Sequence, residues 1–291
     1  MPEPPPIRSY LYAPGSRPEL MEKALGSGAD AVIFDLEDGV TEADKPAARN
    51  HVAALLAQPG RSAGPMLHVR INRGADGPDL DDLAAVALPG LSGVRLPKVA
   101  GAGELESVAA ALDRLESTAG IAPGTVLLYP TVETAAAALA AGELAGAPRV
   151  ARLVFGATDF LADIGSPGAA DGPATALARG QLVLASRAAG IGAPVDSVHT
   201  KLDDEQGLRQ SAERARELGF FGKSVIHPRQ LAIVHTVFTP GDEELAQARR
   251  VVAHTASHGG GASALGDEMV DAAVLARARR LLAIAAEQRQ P

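Results

Sequence analysis

The chain has 291 residues, with 46% hydrophobic and 21% charged side chains and a formal net charge of -8. That length is above the usual single-domain size, but α/β barrels run to about 250 residues and further with extensions, so one domain plus a tail is the simplest expectation. The acidic balance argues against a sequence-independent nucleic-acid binder, the absence of cysteine removes disulfides, thiolate nucleophiles and zinc–thiolate sites, and no run of about 18 uncharged apolar residues is present to span a bilayer.

The Pro-rich start, Met1 to Ile7, lacks the basic-then-apolar order of a secretory signal, and a cytoplasmic location is expected. Short β-branched apolar runs then alternate with longer amphipathic segments rich in Ala and Leu, the pattern of a parallel sheet wrapped by helices. Candidate strands are residues 9–13, 31–35, 67–71, 93–97, 126–129, 152–155, 193–196 and 224–226. Eight such units close naturally into a (β/α)8 TIM barrel, whereas an open doubly wound sheet more often has about five or six strands. Local signals agree: Pro18 opens a helix, Gly28 follows its end, Asp44-Lys45-Pro46 opens the next, and Gly219 and Gly222 bracket the turn into the last strand. After the eighth unit, residues 242–258 read as a helix, 259–266 as a flexible loop and 271–288 as a terminal helix. The barrel is thus assigned to residues 1–240, and 241–291 to a helical extension that is not an independent domain. Gly259 to Gly261 would give this arm a mobile base, so that it acts as a lid over the site of its own or a neighbouring chain.

Active sites of this fold form at the C-terminal ends of the strands, and polar residues gather there. Strand two ends in Asp35-Leu36-Glu37-Asp38, strand three carries Arg70 and Asn72, strand four ends at Lys98, and strands five and six lead to Glu133 and Asp159; Asp196 and His227 end strands seven and eight. Glu133 and Asp159 are the expected metal ligands, because hard oxygen donors from neighbouring strand ends can hold Mg²⁺ while leaving positions for water and substrate. Taken singly, each reads equally well as a cap on the helix that follows. Arg70 would clamp a carboxylate or carbonyl, or form an ion pair with Glu37 or Asp38, and both roles are compatible. Asp35, Glu37 and Asp38 cannot all ligate one small ion; Asp35 is read as mainly structural and Glu37 and Asp38 as orienting groups, with Lys45 and Arg49 as ion-pair partners of the cluster. His227 is either a base or a structural hydrogen-bonding group. No HExxH, GxSxG elbow, Walker loop or strand-linked GxGxxG is found.

The segments RSYLYAPGSRPELMEKALGSGADAVIFDLEDGV, HVRIN, LPKV, VET, FGATDF and ELGFFGKSVIHPRQ together resemble the citrate lyase β-subunit-like branch of the HpcH/HpaI aldolase family, from about Arg8 to the C-terminal helix. The resemblance implies a Mg²⁺-dependent barrel that makes or breaks a bond between an oxo acid and the α-carbon of an acyl-CoA thioester. It implies that Glu133 and Asp159 bind Mg²⁺, that Arg70 binds the oxo acid, and that Glu37 and Asp38 lie near the metal. Arg17 and Lys23 match basic groups near the CoA phosphates. The tail GDEMVD resembles a C-terminal lid in which the residue matching Asp271 is an acid/base group that often reaches a neighbouring subunit, so a homo-oligomer, trimer or hexamer, is expected. Asp271 also reads as the N-cap of the terminal helix. The expected reaction is cleavage or formation of a malyl-, citramalyl- or citryl-thioester. Malate-synthase-like or thioesterase activity, an aldolase that does not use CoA, and a non-catalytic subunit needing an acyl-carrier partner are the alternatives.

Overall fold

The computed structural model describes residues 6–58, 64–257 and 261–287. Most of the Pro-rich start, and His258, Gly259, Gly260 and Gln288 of the expected arm, lie outside the described residues. The chain divides into two compact units, Met1–His235 and Thr236–Pro291.

In the first unit the elements are β1 (Ser9–Pro14), α1 (Pro18–Leu25), β2 (Ala31–Asp35), α2 (Lys45–Leu56), β3 (Met66–Arg70), the short pair β4 (Arg73–Gly74) and β5 (Gly77–Pro78), and α3 (Leu80–Val86). They continue with β6 (Gly93–Leu96), α4 (Ala102–Ala119), β7 (Leu127–Val132), α5 (Ala135–Leu139), α6 (Ala141–Gly146), β8 (Val154–Phe155), α7 (Ala157–Asp163), α8 (Pro173–Ala189), α9 (Glu205–Leu218), β9 (Lys223–Val225) and α10 (Leu231–Phe238), which runs across the boundary between the units. Pro18 occupies the first turn of α1 and Pro46 that of α2, where the missing N–H costs nothing because those amides have no partner within the helix.

The main sheet has the order β8-β7-β6-β3-β2-β1-β9, parallel at every pairing. Strand β2 is buried along its whole length, as expected when a parallel sheet is covered on both faces. Seven of the expected strands are regular, with ends shifted by a few residues. The remaining one, at 193–196, is not: Val195 bridges Val154 and Asp196 bridges Lys223, each singly. Pro194 has no N–H, so it cannot sustain a ladder. The segment still closes the ring, because Val195 N–H donates to Leu153 O and its carbonyl accepts from Phe155 N–H, while Asp196 N–H donates to Gly222 O and its carbonyl accepts from Ser224 N–H. The first unit is therefore a (β/α)8 barrel with a thin seventh stave.

Inside the ring, Tyr10, Ile33, Tyr129, Val154 and Val195 form the apolar core. Arg95, fully buried, lies with its guanidinium carbon 4.4 Å from the Tyr10 ring centroid and 5.2 Å from that of Tyr129, a cation–π arrangement. Next to it His68 is pushed well below its usual value by burial and by the positive charges of Arg95 and Arg152, so it is neutral at physiological pH.

The second unit contains α11 (Asp242–Ser257), the antiparallel hairpin β10 (Ser263–Leu265) and β11 (Glu268–Val270), and α12 (Ala272–Glu287). Its core is Ala248, Val251, Val270 and Ala278, with Leu265, Val274 and Leu281 packed against it. The flexible loop expected at 259–266 is thus corrected in part: from Ser263 it is a strand. Gly266, at φ 63°, opens a two-residue turn of the kind that joins hairpin strands. Among the described residues no helix is long and apolar enough to cross a membrane.

Candidate active site

Asp35 ends β2, and its carboxylate organises the loop that follows. Oδ1 accepts from Glu37 N–H at 3.0 Å and Oδ2 from Gly39 N–H at 2.9 Å. A Cβ at position 39 would lie 2.4 Å from that Oδ2, so glycine is required for the loop to wrap so closely. Arg70, the register partner of Asp35 on β3, donates from Nε and Nη2 to the two Asp35 oxygens, each at 2.7 Å. Its Nη1 lies 2.7 Å from Glu37 Oε2 and 3.6 Å from Asp38; the first is a close ion pair whose angles fall outside hydrogen-bond geometry. Burial works against the Arg70 charge, but Tyr12, Asp35 and Glu37 outweigh it and hold the guanidinium above its usual value. Asp35 is structural, as expected, and Arg70 is oriented by it.

The partners expected for this acidic cluster are corrected. Lys45 pairs with Glu42, and Arg49 pairs with Asp82 at 2.6 Å, which also accepts from the Asn72 side chain. Both bases serve the helical layer. Arg70 and Lys98 neutralise the cluster instead, the latter with Nζ 3.2 Å from Glu37 Oε1. Burial, Asp38 and the opposing pull of Arg70 and Lys98 leave the Glu37 carboxyl above its usual value, burial being the largest influence.

Glu133 follows β7, 6% exposed. Its Oε1 accepts from the backbone N–H of Lys98 at 2.6 Å. Its side chain lies against Gly156, where a Cβ would be 2.5 Å from Oε2. Burial pushes Glu133 up to about 7, against the Lys98 hydrogen bond and with reinforcement from the negative charges of Asp159 and Glu37. Asp159 sits in the first turn of α7. Neither side chain is the N-cap of its helix: Thr134 caps α5, and Gly156 precedes α7. Glu133, Asp159, Arg70, Asp35 and Asp38 all line one cleft of about 440 Å³ at the C-terminal ends of the strands, with Tyr12, Thr131, Ser197 and Ser224 supplying hydroxyl groups to its wall.

Two carboxylates on one cleft, Glu133 buried and Asp159 exposed, with the proton affinity of Glu133 raised chiefly by burial and further by Asp159, form an oxygen donor set suited to a hard divalent cation. Among the described residues no group of three or more His, Cys, Asp or Glu side chains is placed to hold a metal ion, so most coordination positions would fall to water and substrate, as Mg²⁺ commonly allows.

The other expected residues stand elsewhere. Asp196 does not face the mouth. It is fully buried in a network with Arg179 at 2.6 Å and Lys223 at 2.5 Å, and Lys223 also reaches Ser211 on α9. His227 accepts from Arg229 N–H through Nδ1 at 3.2 Å, a structural cap. Arg17 precedes α1 and pairs with Glu19 at 2.5 Å on the surface; neither Arg17 nor Lys23 lines the cleft. In the second unit, Asp271 Oδ1 accepts from the N–H groups of Ala273 and Val274, which makes it the N-cap of α12. Sequence reasoning assigned no role to Lys98 or Gly156, although both sit inside the family-like LPKV and FGATDF segments.

Residues 8–228 match the family model described as HpcH/HpaI aldolase/citrate lyase, and residues 182–286 match one described as a C–C bond lyase of the TIM-barrel fold. The chain belongs to the HpcH/HpaI aldolase/citrate lyase family. Among its relatives in that family, a (3S)-malyl-CoA thioesterase of Cereibacter sphaeroides is 37% identical over 285 residues, 96% of this chain and 94% of the relative. A citrate lyase subunit beta-like protein of Deinococcus radiodurans is 38% identical over 281 residues, 95% of this chain and 96% of the relative. Among solved structures, protein CitE from Mycobacterium tuberculosis in complex with magnesium, acetoacetate and coenzyme A superposes with a TM-score of 0.76 at 35% identity, covering 96% of this chain and 97% of that one.

Proposed function

We infer that this HpcH/HpaI family member is a Mg²⁺-dependent carbon–carbon lyase acting on a 3-hydroxy-3-carboxyacyl-CoA, a malyl-, citramalyl- or citryl-thioester. The observation that carries this reading is the convergence of Glu133, Asp159 and Arg70 on one cleft. Support comes from the CitE complex with magnesium, acetoacetate and coenzyme A.

Glu133 and Asp159 would hold the ion, Glu133 through Oε2, since Oε1 is occupied by the Lys98 N–H. When bound, Mg²⁺ supplies a Lewis acid for the oxygens of the oxo-acid half. Arg70 has five N–H groups; those that do not face Asp35 or Glu37 are available to donate to the same oxygens. Its rigid tether to Asp35 means that little reorganisation is needed as charge builds there. In the cleavage direction the 3-hydroxyl loses its proton and the bond between C2 and C3 breaks. The electron pair goes to the thioester α-carbon, which takes up a proton to give acetyl-CoA and an oxo acid. Asp271 is the proposed proton-transfer group, and Glu37 and Asp38 the groups that set the field around Arg70. Arg17 and Lys23 are proposed to meet the CoA phosphates. In a homo-oligomer, the lid would be shared between subunits.

The likeness to a (3S)-malyl-CoA thioesterase favours a second reading, in which hydrolysis of the same thioester releases CoA. Both readings begin from one substrate and differ in products. Purified protein incubated with Mg²⁺ and malyl-, citramalyl- and citryl-CoA is expected to release an oxo acid and acetyl-CoA in equal amounts. Free CoA with the intact hydroxy acid would establish the thioesterase, and neither product from any of the three would overturn both.

A further inference from the structure

We propose that Lys98 is a positioning residue with two separable functions: its main chain fixes Glu133 for the cation, and its ammonium tethers Glu37. This rests on the metal-binding reading of Glu133. Lys98 follows β6 and adopts φ 47°, a left-handed conformation uncommon for any residue with a Cβ and concentrated at functional sites when it persists. The conformation has an evident consequence, since it aims the Lys98 N–H at Glu133 Oε1, 2.6 Å away. On the other side of the carboxylate, position 156 has no Cβ, and one placed there would lie 2.5 Å from Oε2. Glu133 is therefore presented with Oε1 held by the Lys98 N–H and Oε2 over a glycine, so that Oε2 is the oxygen it would offer to a cation. Beyond the backbone, the Lys98 Nζ approaches Glu37 Oε1 at 3.2 Å, while the other Glu37 oxygen lies 2.7 Å from Arg70. One residue thus links the expected metal ligand to the group that flanks the expected oxo-acid clamp.

The two functions have opposite expected effects on ligands. Losing the N–H geometry should weaken cation binding. Losing only the ammonium makes the mouth more negative, which should leave cation binding unchanged or slightly tighter and weaken an anionic oxo acid.

Mn²⁺ binding to the full chain, followed by electron paramagnetic resonance, separates these effects, with pyruvate titrated into the Mn²⁺-loaded protein as the anion probe. Lys98→Gly, which accepts the left-handed conformation freely, is expected to bind Mn²⁺ within about threefold of the parent or more tightly. Lys98→Val, whose β-branch disfavours that conformation, is expected to bind at least about tenfold more weakly. If that variant does not fold, Lys98→Thr repeats the test with a smaller β-branched side chain. Lys98→Met should retain Mn²⁺ affinity and lose about fivefold or more in pyruvate affinity. Equal Mn²⁺ affinity in the Gly and β-branched variants, or a tenfold loss of Mn²⁺ in Lys98→Met, would overturn the proposal. Failure of the underlying reading has a different signature: the parent chain would bind no Mn²⁺, or Glu133→Ala would bind it as tightly as the parent.

Discussion

The cleft depends on a few positions that leave no slack, and Gly156 is one of them. A methyl group there would lie 2.5 Å from Glu133 Oε2 and 2.7 Å from Glu133 Cβ, so Gly156→Ala must displace the carboxylate. Calorimetric titration of this variant with Mg²⁺ is expected to show at least about a tenfold loss of affinity, equivalent to about 1.4 kcal/mol. Affinity unchanged within twofold would remove Glu133 from the metal site. Glu133 also predicts a pH dependence. Its carboxyl is raised from 4.5 to about 7, chiefly by burial, so between those values the folded, metal-free protein binds a proton that the unfolded chain has released. This contribution to stability is fully present below the unfolded value and is lost as pH rises through about 7, amounting to roughly 3 kcal/mol. Mg²⁺ affinity should move the opposite way, rising with pH and levelling above about 7. Denaturant titrations of parent and Glu133→Gln across this range test the first sign, because the amide has no proton to lose. Of these residues, Glu133, Asp159 and Arg70 were legible in the sequence because charged side chains just past the strand ends of a barrel mostly gather at its mouth. Gly156 and the backbone of Lys98 were not: their contributions are the lack of a Cβ and the direction of an N–H, neither of which is carried by residue type.

At the scale of elements, the barrel's thin stave is held by charge as much as by its ladder. Asp196 meets Lys223 and Arg179 at a fully buried point between the closing segment, β9 and α8. Burial, the largest single influence, pushes the Asp196 carboxyl up, but Lys223 and Arg179 together outweigh it and hold Asp196 below the usual carboxylate range. Removing one partner leaves uncompensated buried charge, and Asp196→Ala is expected to cost about 3–5 kcal/mol in chemical denaturation. A paired replacement, Asp196→Leu with Lys223→Met, should recover part of that loss, as replacing a buried ion pair by apolar groups often does. A cost below about 1 kcal/mol for the single change would mean that the ladder alone closes the ring. The alternation of apolar runs and amphipathic segments was enough to read the barrel, since each strand needs β-branched residues and each crossover a helix. It could not show that residues 193–196 make only single bridges, because that follows from Pro194 and from the register of two neighbours. Asp196 was misplaced for a related reason: it follows the same run as the mouth residues, but its carboxylate joins the helical layer. The β10/β11 hairpin was hidden by its glycines, which read as flexibility when one of them, Gly266, supplies the turn.

For the whole molecule, cation binding and folding should be one linked equilibrium. A ligand that binds only the folded chain stabilises it by about 2.7 kcal/mol at a hundred times its dissociation constant, and the unfolded chain does not bring Glu133 and Asp159 together. Thermal stability should therefore rise with Mg²⁺ concentration in the parent and stay flat in Glu133→Ala and in Asp159→Ala. Ionic strength must be matched with a monovalent salt, because with a net charge of -8 any cation relieves some self-repulsion. The site-specific part is the difference between Mg²⁺ and its monovalent control. The two variants should also differ without metal. Glu133 is buried beside like charge, so Glu133→Ala removes an unfavourable ionised carboxylate at neutral pH and should lose less stability than the cavity alone implies, whereas no comparable relief is expected at Asp159, in the first turn of α7, where a negative charge favours the helix N-terminus. Differential scanning calorimetry of the three proteins, with and without Mg²⁺ at one ionic strength, would measure both effects together. An equal rise in all three with Mg²⁺ would assign the stabilisation to general charge screening and take the cation away from this pair of carboxylates.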